Sequence, residues 1–342
     1  MKSMQIDSVS KVGSNQMPLR FTDNPMPGID DDELLVKISV CGVCHTELDE
    51  IEGRTPPPVF PVIPGHQVVG WVEKVGSNVA GFNHGDRVGI AWIFSACGKC
   101  ELCLKGNENL CDHFRATGRD VNGGYAEYMS VSAQFVYRIP DTLSDAEAAP
   151  LLCAGAIGYR SLELTGIENG DRLGLTGFGA SGHLVLRLVK HIYPESDVYV
   201  FARNPDEREF AVDNGAVWAG DTQEESPDKL HAIIDTTPVW KPVVEALKNL
   251  LPAGRLVINA IRKEDSDIDY LLRINYPEHL WMEKEVKSVA NVTRKDVTRM
   301  LEAAAEYDIK PDVQLYGLED ANRALTDLKL GSVKGAKVLR IQ

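Results

Sequence analysis

Gly177-Phe178-Gly179-Ala180-Ser181-Gly182 stands between a strand-like run, Asp171 to Thr176, and an amphipathic run with Leu184, Val185, Leu188, Val189 and Ile192 at helical spacing. A bare G-x-G-x-x-G is a common turn; a strand before it and a helix after it are what give it weight. The first glycine permits a tight turn, the second lets a pyrophosphate approach the backbone, and the third lets helix and strand pack closely. The helix N-terminus then presents unpaired N–H groups and a positive dipole end to phosphate. Gly177, Gly179, Ala180, Ser181 and Gly182 are therefore candidate dinucleotide-binding residues.

The chain around this turn has the matching texture. After Pro150, strand-like runs alternate with helical ones: 172–176 then 182–193, 198–202 then 207–214, and strands 232–235 and 255–258 with a helix-compatible 243–251 between them. Such alternation predicts a parallel sheet covered by helices, closing near Val286 to Val289. The first ~150 residues are instead strand-like and turn-rich. Leu34 to Val40, Val68 to Val75 and Arg87 to Ala91 read as strands, and the Pro-rich and Gly-rich stretch Arg54 to Pro64 breaks them, as in an irregular β domain. The tail carries helices at Lys295–Tyr307 and Leu318–Leu330 and a last strand at Ala336–Ile341. With 342 residues, two domains are expected: 1–150 together with 290–342, and 151–289.

The second strand of the parallel series, Val198 to Ala202, is followed by Arg203. NAD sites usually carry an acid at this strand end to hold the adenosine ribose. Here Asp197 precedes the strand and Asp206 falls beyond it. Arg203, helped by Arg208, would instead meet a 2′-phosphate through charge-assisted bonds. The plain alternative is a solvated surface arginine. The expectation leans to NADP over NAD.

Cys97-x2-Cys100-x2-Cys103-x7-Cys111 is the strongest metal signal. Four thiolates in one short loop surround a zinc ion tetrahedrally and leave no open position, so such a site is structural. The loop 97–111 is polar and Gly-rich, with little apolar side chain to hold itself. An iron–sulfur cluster would have three residues in the last gap and a following Pro; here the gap is seven and Asp112 follows. Unpaired or disulfide-forming thiols are the other alternative.

A formal net charge of −14 argues against nucleic-acid and anionic-membrane partners, which need a basic footprint. No apolar run approaches the ~18 residues of a membrane-spanning helix. The first residues, 1–13, lack the apolar stretch of a secretory leader, and seven cysteines fit a reducing compartment. A cytoplasmic location is expected.

At this point the motifs resemble a family. Cys41-Gly42-Val43-Cys44-His45-Thr46, Gly65-His66-Gln67-Val68-Val69-Gly70 and Leu151-Leu152-Cys153-Ala154-Gly155 are similar to the three catalytic-zinc segments of zinc-containing alcohol dehydrogenases of the medium-chain dehydrogenase/reductase family. The four-cysteine loop and the glycine turn fall in that family's order, as do Gly85-Asp86-Arg87-Val88 and Gly123 to Tyr128. The resemblance spans essentially the whole chain. It implies an α/β protein with a GroES-like β-rich catalytic domain and a Rossmann doubly wound parallel-sheet domain. It implies two zinc ions per chain, the catalytic one held by Cys44, His66 and Cys153 with a fourth position open.

The implied reaction moves a hydride between a small primary or secondary alcohol, or its carbonyl, and NAD(P), with zinc as Lewis acid. Thr46 matches a hydroxyl that begins a proton relay, His45 a position near the cofactor pyrophosphate, and Trp92 an aromatic lining the substrate pocket, although a core tryptophan would look the same. Family members are usually dimers or tetramers, so a homodimer or homotetramer is expected.

Four positions depart from the pattern. Gln67 stands where many members have Glu, and Glu47 where an Asp commonly orients the ligand histidine. Asp49 and Glu52 occupy the places of relay histidines found in some members. Cys41 has no assigned role and reads as a buried apolar side chain. A polyol or sugar dehydrogenase of the same fold is the first alternative, though those often lack the four structural cysteines. A non-catalytic dinucleotide-binding protein is the second, and an open metal site argues against it.

Overall fold

Glu33–Val43 is the strand on which one half of the molecule is built. It runs three residues past the expected Val40, because Cys41, Gly42 and Val43 pair with Leu339, Val338 and Lys337 of the antiparallel C-terminal strand. That added length brings Cys44 to the strand's end. In this computed structural model, which describes residues 1–331 and 335–342, and Ala180 by its backbone alone, the strand lies inside a seven-stranded sheet. In spatial order the sheet runs Val313–Gly317, Ala336–Arg340, Glu33–Val43, Val68–Val75, Arg87–Ile90 and Val136–Arg138, with Tyr128–Ser132 also pairing to Glu33–Val43. Only the first pair is parallel. Leu34, Val36, Ile38, Val68, Val72, Val88, Ile90 and Met129 form the centre of its core.

The four-cysteine loop belongs to this half. Its Glu108 is buried, and one carboxylate oxygen accepts from the Arg294 backbone N–H at 2.8 Å and from Arg294 Nε at 3.0 Å. Arg294 opens the helix Arg294–Glu306, so the carboxylate sits at the positive end of a helix dipole. The loop is thereby fastened to the segment that returns after the second unit.

The chain divides into two units, Met1–Cys153 with Val292–Gln342, and Ala154–Asn291. The second unit is a six-stranded, wholly parallel sheet. Its strands are β1 (Arg172–Thr176), β2 (Asp197–Phe201), β3 (Trp218–Gly220), β4 (Leu230–Asp235), β5 (Leu250–Ile258) and β6 (Glu285–Ser288), in the order β3-β2-β1-β4-β5-β6. Leu173, Leu175, Val198, Val200, Ile233 and Ile234 are fully buried, as apolar runs in a sheet covered on both faces should be. The order reverses between β1 and β4, which makes the crevice beyond their carboxyl ends the place where such sheets take ligands.

The expected helix 243–251 is shorter and earlier: it spans Lys241–Lys248, and Leu250 already begins β5. Asn249 ends it, its backbone carbonyl accepting from Leu230 N–H and its side-chain oxygen from Ser226 N–H. Apolar residues continue through both elements, so the run itself does not mark the change.

Candidate metal centre and dinucleotide turn

Cys44 is the N-cap of α1 (His45–Ile51). Its backbone is extended, its sulfur accepts from Thr46 N–H at 3.5 Å, and its own N–H donates to Glu47 Oε2 at 2.7 Å. The other oxygen of Glu47 lies 2.7 Å from His66 Nδ1, with Glu47 0% and His66 1% exposed. One carboxylate therefore caps a helix and orients an imidazole. The longer Glu reaches the position that the commoner Asp would serve.

With Nδ1 engaged, Nε2 of His66 faces the sulfurs, 3.3 Å from Cys153 Sγ, and Cys153 Sγ is 3.9 Å from Cys44 Sγ. The three ligand atoms lie within 4.8 Å of one another. Tetrahedral zinc with Zn–S bonds near 2.3 Å separates two sulfurs by about 3.8 Å, so the donor set fits a zinc ion. Gly65, at φ +101°, makes the approach possible: a Cβ there would lie 2.4 Å from the Tyr125 ring.

The electrostatics point the same way. The bond from Cys153 holds the Cys44 thiol well below the ordinary thiol range, and Cys44 in turn, with burial, pushes Cys153 well up. Burial alone would lower His66, but the Glu47 carboxylate and the Cys44 sulfur outweigh it and hold the imidazole well above its ordinary value. Buried anionic sulfur beside a carboxylate creates a local demand for a cation.

Cys97, Cys100, Cys103 and Cys111 form a second group, their sulfurs again within 4.8 Å of one another and the Cys97–Cys103 pair at 3.9 Å. Backbone N–H groups of Cys100, Cys103 and His113 point at the sulfurs of Cys97, Cys100 and Cys111. Donors from Lys99 and Cys100 bring the Cys97 thiol down to about 6. Four sulfurs at zinc spacing, with amide donors stabilising thiolate, fit a closed tetrahedral site.

The remaining candidates are placed as follows. Thr46 Oγ1 is 3.5 Å from Cys44 Sγ, and His45 is exposed at the first position of α1. Asp49 accepts from Arg54 Nε at 2.5 Å, and Glu52 from Arg54, Lys329 and the Val12 N–H. Both positions held by histidine in some family members are therefore committed to ion pairs. Gln67 is buried against Gly42, where a Cβ would meet its Oε1 at 2.4 Å. Cys41 is buried. Trp92 belongs to a small apolar cluster with Ile93, Ala116 and Phe135, with Phe114 at 5.1 Å and the Arg119 guanidinium at 5.4 Å.

Glu50 is a residue that sequence reasoning missed. It lies one turn after Glu47, 1% exposed, and neither carboxyl oxygen has a hydrogen-bond partner. Burial first, then the Glu47 charge, push its carboxyl well up. Only its i,i+3 spacing from Glu47 on one helix face could have marked it.

In the second unit Gly177 has φ +77° and donates to Phe201 O at 2.8 Å. Gly179 is the N-cap of α2 (Ala180–Ile192), with nothing within 4 Å of where its Cβ would be. A Cβ on Gly182 would lie 3.0 Å from Gly177 O. These are the open approach and the close packing that the spacing predicts. The Ala180 side chain lies outside the described residues, and Ser181 follows in the first turn of α2. Arg203 is exposed after β2, whereas Arg208 donates to Ala202 O and Arg203 O and lies 3.6 Å from Asp221. Arg208 thus serves the backbone of the strand end.

Residues 30–141 match the alcohol dehydrogenase GroES-like domain family. A probable alcohol dehydrogenase, AdhA, of Mycobacterium tuberculosis (strain CDC 1551 / Oshkosh) is 42% identical over 329 residues, covering 95% of this chain and 93% of that protein. An alcohol dehydrogenase of Geobacillus stearothermophilus is 35% identical over 333 residues, covering 95% and 96%. Among solved structures, the cinnamyl alcohol dehydrogenase SbCAD4 of Sorghum bicolor superposes with a TM-score of 0.83 at 26% identity, over 99% of this chain and 97% of that one. Both the motif order and whole-length similarity agree with the geometry: the chain belongs to the zinc-containing medium-chain alcohol dehydrogenases and is an NAD(P)-dependent zinc alcohol dehydrogenase.

Proposed function

We propose that Cys44, His66 and Cys153 hold the catalytic zinc of an enzyme that interconverts a small alcohol and its aldehyde or ketone. The observation that carries this is the meeting of the three ligand atoms, with Glu47 turning the His66 Nε2 toward the two sulfurs. Bound there, zinc supplies Lewis acidity to the alcohol or carbonyl oxygen. Cys97, Cys100, Cys103 and Cys111 hold the structural zinc. The Thr46 hydroxyl, beside Cys44, begins the proton relay: it would accept the substrate hydroxyl's proton while passing its own toward the cofactor ribose. With Asp49 and Glu52 tied to Arg54 and Lys329, the proton does not continue along α1 as it would through histidines.

The unit Ala154–Asn291 takes the dinucleotide at Gly177–Gly182, its pyrophosphate on the N-terminus of α2. Arg203, exposed where NAD sites carry an acid, selects NADPH through its 2′-phosphate. Trp92 contributes to the substrate pocket. The intact four-sulfur loop favours alcohols and aldehydes over polyols. Seven free thiols suit a reducing, cytoplasmic setting. Among the described residues no helix is long and apolar enough to cross a membrane.

The test is oxidation of NADPH and of NADH driven by short aliphatic and aromatic aldehydes, with and without a zinc chelator. Chelator-sensitive turnover, faster with NADPH, is expected. Arg203→Asp should move the preference toward NADH; an unaltered ratio removes Arg203 from cofactor choice. Silence with both cofactors in zinc-loaded protein would overturn the reading.

A further inference from the structure

Lys263 and Asp235 form a buried ion pair at the carboxyl end of the parallel sheet, with Lys263 8% and Asp235 0% exposed. Asp235 is the last residue of β4, and Lys263 lies in the connection that follows β5. All three ammonium protons are used: on Asp235, on Thr237 O at 2.7 Å and on Val239 O at 3.0 Å. The lysine has no donor left for a phosphate. Asp235 is equally committed, accepting from Thr176 Oγ1 at 2.5 Å, Thr237 Oγ1 at 2.7 Å and Thr237 N–H at 3.3 Å.

A buried ion pair is seldom worth more to stability than apolar residues of the same volume; its better-attested use is to specify one conformation. What this pair specifies can be traced. It draws the connection after β4, residues 236–239, toward the end of β1. There Thr236 N–H and Oγ1 both donate to Thr176 O, at 3.0 and 2.9 Å. Thr236 and Thr237 then press on the first glycine of the turn: a Cβ on Gly177 would meet Thr236 Oγ1 at 2.9 Å and Thr237 Cγ2 at 3.1 Å. The same lysine ties in the connection after β5, which Glu264 N–H joins to Pro238 O at 2.7 Å. Thr176, Gly177 and two loops are locked together; of these bonds only Thr236 N–H to Thr176 O belongs to the ladder that pairs β1 with β4.

We propose that Lys263 and Asp235 are positioning residues for the dinucleotide: the pair holds residues 236–239 against Gly177 and so sets the shape of the glycine turn before a pyrophosphate arrives. This rests on the reading that Gly177–Gly182 takes the dinucleotide. The pair acts on the turn and not on the ribose end, so its loss weakens NADH and NADPH alike.

Dinucleotide binding to the full-length, zinc-loaded protein, followed by NADH and NADPH fluorescence, tests the proposal apart from turnover. Lys263→Met should raise both dissociation constants at least about tenfold, or about 1.4 kcal/mol, and raise KM for the dinucleotide while kcat at saturation stays within about twofold. Thr176→Val removes one hydroxyl and leaves the ion pair. It should weaken both cofactors about threefold, and it decides the matter by itself if Lys263→Met does not fold. Dissociation constants within twofold of wild type in the folded variants, or a change confined to NADPH, overturn the proposal. Wild-type protein that binds neither dinucleotide would instead overturn the reading of the turn.

Discussion

At the scale of single residues, the metal centre is organised by Glu47 as much as by its three ligands. Without a partner on Nδ1, the His66 ring would be free to choose its tautomer and orientation; Glu47 fixes both. Cys44 has a double role, as N-cap of α1 and as candidate ligand, which allows a separable test. Cys44→Ser keeps a side chain that caps helices well but replaces a soft thiolate. Turnover is expected to be abolished, with dinucleotide affinity unchanged because the glycine turn belongs to the other unit. Unchanged turnover, measured by the aldehyde assay, would sink the catalytic-zinc assignment. The ligand types were legible in the sequence through the motif resemblance; Glu50 was not, because a glutamate on a helix looks solvent-facing until the fold buries it.

At the scale of elements, α1 is held at both ends by carboxylates. Its far end carries Glu52, which Lys329 of the helix Ala321–Leu330, Arg54 and the Val12 N–H surround. Burial alone would raise this carboxyl, but those partners bring it down from 4.5 to about 2. A depressed native value means stability that is present above the ordinary carboxyl range and lost as pH falls from about 4.5 through about 2. Glu52→Gln should therefore cost about 1–2 kcal/mol at pH 7, allowing for the partly exposed Lys329 and Arg54. Urea midpoints at pH 7 and pH 3 check this: the gap between variant and wild type should narrow at the lower pH, and an equal gap would refute it. The periodicity behind α2 and the tail helices was readable. The strand Val313–Gly317 was not, since its short polar-apolar mixture, VQLYG, gains strand character only by pairing with Ala336–Arg340.

At the scale of the molecule, the parallel sheet ends in a short edge strand, β6, which Glu285 and Lys287 charge. All four residues of β6 are exposed, Val286 among them, and Trp281 and Met282, which precede it, likewise have about half their surface in solvent. Exposed apolar side chains grouped beside that charged strand are a surface that proteins normally cover. The proposed oligomer is accordingly a homodimer through this edge, with the homotetramer as its extension. Light scattering on the purified chain should report at least a dimer, and Val286→Lys should shift it toward monomer; a wild-type monomer at micromolar concentration would refute the arrangement.

Local chemistry was determined by the sequence itself: four cysteines at zinc spacing, glycines where a pyrophosphate must come close, and βα alternation that permits only a covered parallel sheet. These are properties of neighbouring residues, and spacing along the chain expresses them. What the tertiary structure alone decided are meetings between residues far apart that no motif paired: Glu108 with Arg294, and Lys263 with Asp235 and Thr176. Such contacts depend on sheet order and on where each strand stops, and burial then makes them matter. A lysine or glutamate takes its role from the dielectric around it, which only the packed chain creates.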